Sequence, residues 1–178
     1  MSETLTLVQL GSSPDYPILS LRDRIASKFR DYQVTNLNAF EAPKMAFDPA
    51  RNQYHSTRIL AILEEHEEII KTQRLLGVAS FDLFVPGMNF VFGEARCPGR
   101  VAVISTYRLR AGRPSDPKLL ENRTAKEAVH EIGHMLGLRH CNTNSCVMYF
   151  SEGLSDTDRK QDDFCSECRN KVEWLEVE

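Results

Sequence analysis

Hydrophobic positions along the first half of the chain alternate between strand-like runs and helix-like spacing. Thr4–Leu10 and Val34–Leu37 are short apolar stretches that predict β-strands. Between them, Pro17–Phe29 carries apolar residues at helical spacing and has proline at a position that starts many helices. Ser56–Ile70 repeats the helical spacing, and Ser56 is the expected N-cap. Helices that alternate with strands in this way predict an α/β domain built in layers.

The second half of the chain continues this alternation and then becomes irregular. Turn sequences separate three further strand candidates: Leu75–Phe84, Asn89–Phe92 and Arg100–Tyr107. After a loop-like stretch over residues 110–118, a long helix is expected from Leu119 to Leu136, with Gly137 as its stop signal. Ser155–Asp158 resembles a capping box with aspartate in the glutamate position. It predicts a final helix over Asp156–Val172, interrupted near the cysteines.

Size and composition narrow the class of protein. The chain has 178 residues, 42% apolar and 26% charged, which suits one globular domain, with or without a small lobe. A net charge of −3 gives no field that favours nucleic acid or an anionic membrane. No apolar run approaches the roughly 20 residues that span a bilayer, and the N-terminus resembles a strand, not a signal peptide. We therefore expect a cytoplasmic protein with no nucleic-acid or membrane partner. The sequence does not determine the oligomeric state, and a monomer is the working expectation.

The clearest chemical signal is a His-Glu-x-x-His segment inside the long predicted helix. His130 and His134 are four residues apart, so a helix places both imidazoles on one face, about 5–6 Å apart at Cβ. Two imidazoles so placed can bind one zinc ion. His140 supplies a third ligand if the backbone turns back at Gly137, since glycine tolerates positive φ. Glu131 is then placed to take a proton from a zinc-bound water.

A solvated polar stripe is the alternative interpretation of these histidines. A bare His-Glu-x-x-His segment can arise by chance on an amphipathic helix, so it needs further support. Gly137 and His140 stand at the offsets that a third ligand requires, and they favour a catalytic metal site. His55 and His66 have no such neighbours: His66 is expected to be a solvated helix residue, and His55 a surface residue or one with a local hydrogen bond.

The cysteines form a second chemical signal, because four of the five are clustered near the C-terminus. Cytosolic thiols are kept reduced, so this cluster indicates a metal site more than disulfide bonds. The predicted ligands of a closed structural zinc site are Cys141, Cys146, Cys165 and Cys168. An iron–sulfur cluster also uses four thiolates and stays open as an alternative, whereas a redox dithiol needs fewer. The acidic tail disfavours a nucleic-acid-binding zinc module, and Cys97 is expected to pack or to lie in a turn.

The pattern His-Glu-x-x-His-x-x-Gly-x-x-His followed by a methionine is similar to the metzincin signature, with Met148 as the Met-turn residue. The cysteines around this pattern resemble those of the archaemetzincins, from about Ala125 to Cys168. The resemblance implies a zinc-dependent peptidase, and it leaves endopeptidase and aminopeptidase-like action both open. Phe150 stands where some metzincins carry a ligating tyrosine, so Tyr149 is expected to pack and is not assigned to catalysis.

The resemblance also implies an architecture and a mode of substrate binding. A mixed sheet, a backing helix and the active-site helix would occupy residues 1–137. A small C-terminal subdomain, residues 138–178, would carry the third ligand, the Met-turn and the four-cysteine zinc site. Asn89–Ala95 would form an antiparallel edge strand that binds an extended peptide substrate by β-augmentation. Two zinc ions per chain are expected, one catalytic and one structural; the alternative is a non-catalytic, metal-stapled peptide-binding protein, which would usually have lost Glu131.

Overall fold

The structure is a computed structural model, and it describes residues 3–12, 18–66, 73–112 and 116–175. Eight strands lie in these ranges: β1 Glu3–Leu10, β2 Tyr32–Asn36, β3 Phe47–Asp48, β4 Gln53–His55, β5 Arg74–Ala79, β6 Leu83–Phe84, β7 Gly93–Ala95 and β8 Val101–Ser105. The same ranges hold five α-helices: α1 Ile18–Lys28, α2 Ser56–Glu65, α3 Pro117–Met135, α4 Leu154–Arg159 and α5 Ser166–Leu175. Among the described helices, none has the length and apolar character needed to cross a membrane.

A mixed sheet organises the domain. Within the described ranges its strand order is β2-β1-β5-β8-β7, and all neighbours are parallel except β7, which is antiparallel to β8. A smaller sheet in the order β3-β4-β6 lies beside it. The predicted α/β class and the antiparallel strand at the sheet edge are therefore confirmed.

Several predicted boundaries were wrong. The expected strand Leu75–Phe84 is two strands, because the chain turns at residues 80–82 and β6 pairs with β4 in the smaller sheet. The expected edge strand Asn89–Ala95 is regular only over Gly93–Ala95; before it, Val91 makes an isolated bridge to Leu83. Pro17, residues 67–70 of the second expected helix and residues 113–115 of the expected loop lie outside the described residues.

Two predicted helix caps were also wrong. Ser56 is the first helical residue of α2, and the extended His55 precedes it as the N-cap. The Ser56 hydroxyl bonds the carboxylate of Glu94 instead of the helix backbone, which no local pattern reveals. Helix α4 begins at Leu154 after an extended Gly153, without a side-chain cap, so Ser155–Asp158 is not a capping box.

The two faces of the larger sheet carry two hydrophobic cores. Successive residues of a strand point to opposite faces. Leu5 and Leu7 accordingly face one core, and Val8 and Leu10 face the other. The first core contains α1, α3 and apolar residues from beyond position 137, and the second contains α2. Helix α3 is thereby held against the sheet by the segment that follows it.

Candidate metal centres and active-site cleft

Residues with known capping roles lie at both ends of helix α3. The Asp116 carboxylate caps its N-terminus, accepting hydrogen bonds from the backbone N–H groups of Lys118 and Leu119 at 3.0 and 3.3 Å. At its other end Gly137 adopts φ +97°, and its N–H donates to the His134 carbonyl at 2.9 Å. The Leu138 N–H donates to the Gly133 carbonyl at 2.9 Å, which completes a Schellman motif. The predicted turn at Gly137 is confirmed, and it directs the chain back toward the helix.

The structure brings the three predicted histidines together. One ring nitrogen from each of His130, His134 and His140 lies within 4.8 Å of the others. The Nε2 atoms of His130 and His134 are 3.1 Å apart. His130 is buried, His134 is half-buried and His140 is exposed to the cleft. The cluster is therefore open to solvent on the side of His140.

The hydrogen bonds of two histidines fix which nitrogen carries the proton. Nδ1 of His130 lies 2.7 Å from the Val147 carbonyl oxygen, and Nδ1 of His134 lies 2.7 Å from that of Leu138. A carbonyl oxygen only accepts, so each Nδ1 donates. Burial lowers the pKa of His130 well below its usual value and that of His134 to about 4, which keeps both rings neutral. Two Nε2 lone pairs therefore face each other, an arrangement that fits a zinc ion between them.

Glu131 lies in a dry environment beside the histidines. Its side chain is 4% exposed, and burial, followed by the nearby charge of Glu127, raises its pKa well above the usual value. Its Oε2 atom is buried and makes no hydrogen bond to any described residue. A carboxylate with one oxygen uncommitted and a raised pKa is suited to accept a proton.

The four clustered cysteines form a second group. The Sγ atoms of Cys141, Cys146, Cys165 and Cys168 all lie within 4.8 Å of one another, and none is in a disulfide. The backbone N–H of Cys168 lowers the pKa of Cys165, whereas burial raises the pKa of Cys146 and Cys168. Four thiolates at this separation repel one another, so a cation is needed to ionise them together. The geometry and donor set fit a tetrahedral metal ion.

The turn that carries Met148, between Cys146 and Cys165, packs against helix α3. Met148 is fully buried, and its Sδ would lie 2.5 Å from a Cβ added to Gly133. The Cys141 N–H donates to the Met148 carbonyl at 2.9 Å, which joins the cysteine group to this turn. The Phe150 ring lies 5.0 Å from that of His140, and Tyr149 is half-buried.

An open cleft of about 770 Å³ runs past the histidines. Strand β7, the residues before it and helix α3 all contribute to its lining. Its apolar lining side chains include Phe90, Phe92 and Phe150. Arg139 lines the cleft near His140. The cleft is large enough to hold several residues of an extended peptide beside the metal-binding atoms.

Comparison with known proteins decides the family. A sequence model described as peptidase family M54 matches residues 3–174. The chain belongs to peptidase family M54. The archaemetzincin of Archaeoglobus fulgidus is 44% identical over 147 residues, which cover 83% of this chain and 86% of that protein. The archaemetzincin of Pyrococcus abyssi is 36% identical over 180 residues, covering 97% and 96%.

A solved structure agrees with the M54 assignment. The crystal structure of archaemetzincin from Methanopyrus kandleri matches with a TM-score of 0.88 and 34% identity, covering 99% of this chain and 97% of that one. The archaemetzincin resemblance is confirmed, and the M54 chain is a zinc metallopeptidase.

Two features of the site were not predicted from the sequence. Lys160 has no exposed side-chain surface, and its ammonium lies 3.0 Å from Glu127, which lines the cleft one turn before Glu131. Lys160 lies in a polar segment, which gives no sequence signal of burial. The four-residue spacing of Glu127 and Glu131, in contrast, does place both glutamates on one helix face. The Cys97 thiol donates to the Leu138 carbonyl at 3.4 Å, the oxygen that also accepts from His134.

The two remaining histidines lie apart from the three-histidine group. His66 is exposed, as expected, and its ring stacks on Phe40 at 4.5 Å. His55 is half-buried and tilts against Phe84 at 5.1 Å. Both side chains pack on phenylalanine rings, and neither belongs to a group that could hold a metal among the described residues.

Proposed function

We propose that the M54 chain hydrolyses peptide bonds at the three-histidine site, with His130, His134 and His140 as ligands of a catalytic zinc and Glu131 as general base. The observation that carries this proposal is the pair of Nε2 lone pairs 3.1 Å apart, each fixed by a backbone carbonyl behind it. Without a cation this arrangement is repulsive, and zinc is the metal that this ligand type suits in a peptidase.

The chain's own residues account for the proton transfers. A bound zinc supplies acidification of the attacking water and polarisation of the scissile carbonyl. Glu131 accepts the proton of that water on its uncommitted oxygen, because a raised pKa makes the ionised carboxylate a stronger base. It then passes the proton to the leaving amine. The carbonyls of Val147 and Leu138 hold the first two imidazoles in place throughout.

The open edge of β7 supports binding of an extended peptide. The Ser105 N–H donates to the Phe92 carbonyl at 2.8 Å, and the Arg96 N–H donates to the Val101 carbonyl at 3.0 Å. Alternate residues of an antiparallel strand bond to the same neighbour. The backbone groups of Gly93 and Ala95 therefore point away from β8. We propose that substrate pairs with them as an additional strand.

The second metal in this proposal is a structural zinc on Cys141, Cys146, Cys165 and Cys168. It would join α5 to the chain that directly follows His140, and so hold the third histidine in place. Four thiolates also suit an iron–sulfur cluster, so the metal's identity needs direct analysis. We keep the division into residues 1–137 and 138–178, with two zinc ions per chain, as part of the proposal. A cytoplasmic, monomeric protein without nucleic-acid partners stays a prediction.

Glu131→Gln tests the general-base assignment. We expect Glu131→Gln to abolish cleavage of a mixed peptide library while zinc content and thermal stability stay near wild type. Glu121→Gln, in the same helix and away from the cleft, is the matched control and should cleave normally. Equal product release by wild type and Glu131→Gln would favour the alternative, a non-catalytic, metal-stapled peptide-binding protein. Comparing free and N-acetylated peptides separates aminopeptidase from endopeptidase action.

A further inference from the structure

Gly93 of strand β7 lies directly against Glu131 of helix α3. A Cβ atom added to Gly93 would lie 2.6 Å from Oε1 of Glu131 and 2.8 Å from its Cγ. Non-bonded heavy atoms are most stable at about 3.5–4.0 Å. The edge strand and the proposed base therefore approach each other at a distance that only glycine permits.

Backbone freedom is not the reason for glycine at this position. The described glycines with positive φ are Gly11, Gly87, Gly112 and Gly137, and Gly93 is not one of them. Its backbone pairs regularly with Ile104 in the β7–β8 ladder, a conformation that any L-residue adopts. What the position requires is the absence of a side chain.

Both partners in this contact are held in place. Glu94, the next residue of β7, accepts a hydrogen bond from the Thr57 hydroxyl at 2.9 Å and is also bonded by Ser56, so the strand is anchored to α2. Glu131 is buried near the C-terminal end of a 19-residue helix. A clash between Gly93 and Glu131 would therefore be relieved by displacement of the Glu131 side chain, because both backbones are packed.

We propose that Gly93 is a positioning residue for Glu131. Because Gly93 has no side chain, the Glu131 carboxylate can lie directly against its backbone. The outward-facing backbone of Gly93 also belongs to the edge that would receive the substrate. One residue would thus set the distance between the peptide strand and the base. This inference rests on the proposed peptidase function, because it assigns the contact a role in catalysis.

A competing explanation lies in the neighbouring strand. The same added Cβ would lie 2.8 Å from the carbonyl oxygen of Val103 in β8. Crowding by β8 alone would make glycine a purely structural requirement. If Glu131 is the reason for glycine, removing its side chain should allow alanine at position 93. If β8 is the reason, alanine at position 93 should destabilise the protein equally with or without the Glu131 side chain.

A thermal double-mutant cycle on the full zinc-loaded chain separates them. Gly93→Ala is made in the wild-type and Glu131→Ala backgrounds, and Tm is measured for all four proteins. We expect Gly93→Ala to lower Tm in the wild type and much less in Glu131→Ala. Folding only in the Glu131→Ala background would support the same conclusion. Equal losses, no loss in either background, or failure to fold in both would overturn the proposal. Gly153→Ala, whose Cβ meets nothing within 4 Å, is the control and should leave Tm unchanged.

Kinetics test the positioning role itself. Displacing a catalytic group by about 1 Å can cost about 100-fold, so Gly93→Ala should lower kcat by about that factor with KM little changed. Glu131→Asp, which shortens the side chain by one methylene, should cause little further loss in Gly93→Ala although it is costly alone. Losses that multiply, or a change in KM alone, would refute the role. If the wild type cleaves no peptide, the proposed function fails, and the Tm cycle still reports on the contact.

Discussion

Nδ1 of His130 donates a hydrogen bond to the backbone carbonyl of Val147 at 2.7 Å. Val147 immediately precedes the buried Met148, so the turn that follows the third histidine also orients the first. This bond couples the packing of the C-terminal segment to the geometry of the proposed zinc site. Substitutions that disturb the turn should therefore weaken metal binding without touching a ligand.

Gly133→Ala tests this coupling. The added methyl group would meet Met148 Sδ at 2.5 Å and Phe164 Cε1 at 3.1 Å. Overpacking of a core typically costs about 1–3 kcal/mol, and we expect a loss of that size in denaturant unfolding together with weaker zinc affinity. Gly133→Ala combined with Met148→Ala should cost less than the sum of the single changes, because the truncated side chain makes room. Additive costs would show that the two residues do not press on each other.

The buried pair of Lys160 and Glu127 should matter for stability. Removing one member of a buried ion pair leaves an uncompensated charge, at a cost of about 3–5 kcal/mol. Lys160→Met should lose stability on this scale, and adding Glu127→Gln should recover part of the loss. Lys171→Met, which breaks the exposed pair with Glu167, is the control and should change stability little. A fully stable Lys160→Met protein would contradict the expectation.

Acid should destabilise the metal-free protein in a defined window. Burial lowers the pKa of His134 to about 4, whereas an unfolded histidine titrates near about 6.5. As pH falls between these values the unfolded chain binds a proton that the folded chain does not, so the free energy of unfolding decreases. The free energy of unfolding is highest at pH values above the pKa of the unfolded histidine, and it declines toward pH 4. Denaturant titrations of metal-free protein should show this slope, and His134→Asn should reduce it; an unchanged slope in that variant would count against the assignment.

The cysteine group should bind metal independently of Cys97. Cys165→Ser should remove the structural metal, lower Tm and reduce activity indirectly, because α5 and the chain after His140 lose their link. Cys97→Ser, outside the group, should retain the full metal content. Metal analysis and thermal unfolding of both variants provide the check. Full metal content and an unchanged Tm in Cys165→Ser would refute the structural role.

The sequence predicted those features that depend on short spacing. His130 and His134 are brought together by one helical turn, and Gly137 signals the reversal that returns His140. Features that depend on tertiary contacts were missed. Ser56 resembled a cap, yet its hydroxyl bonds Glu94, which is 38 residues away. Lys160 is likewise buried through a tertiary contact, with Glu127 of helix α3. The two residues are 33 positions apart, and no periodic pattern in the sequence links residues at that separation.

The edge strand is the element whose position and direction were predicted from the family resemblance and not from the residue pattern. The resemblance predicted an antiparallel edge strand near Asn89–Ala95, and β7 is that strand. Its short length follows from the bridge of Val91 to Leu83, which draws the preceding residues toward the smaller sheet. The approach of Gly93 to Glu131 has no sequence signature, because glycine there adopts an ordinary extended conformation.

Anomalous diffraction at the zinc edge, from crystals of the metal-loaded protein, tests the central claim most directly. The account predicts a peak within about 2.0–2.1 Å of a ring nitrogen of each of His130, His134 and His140, with Glu131 nearby and not coordinated. A metal-replete crystal with no peak among these rings, or with the His140 imidazole turned away from the ion, would contradict it.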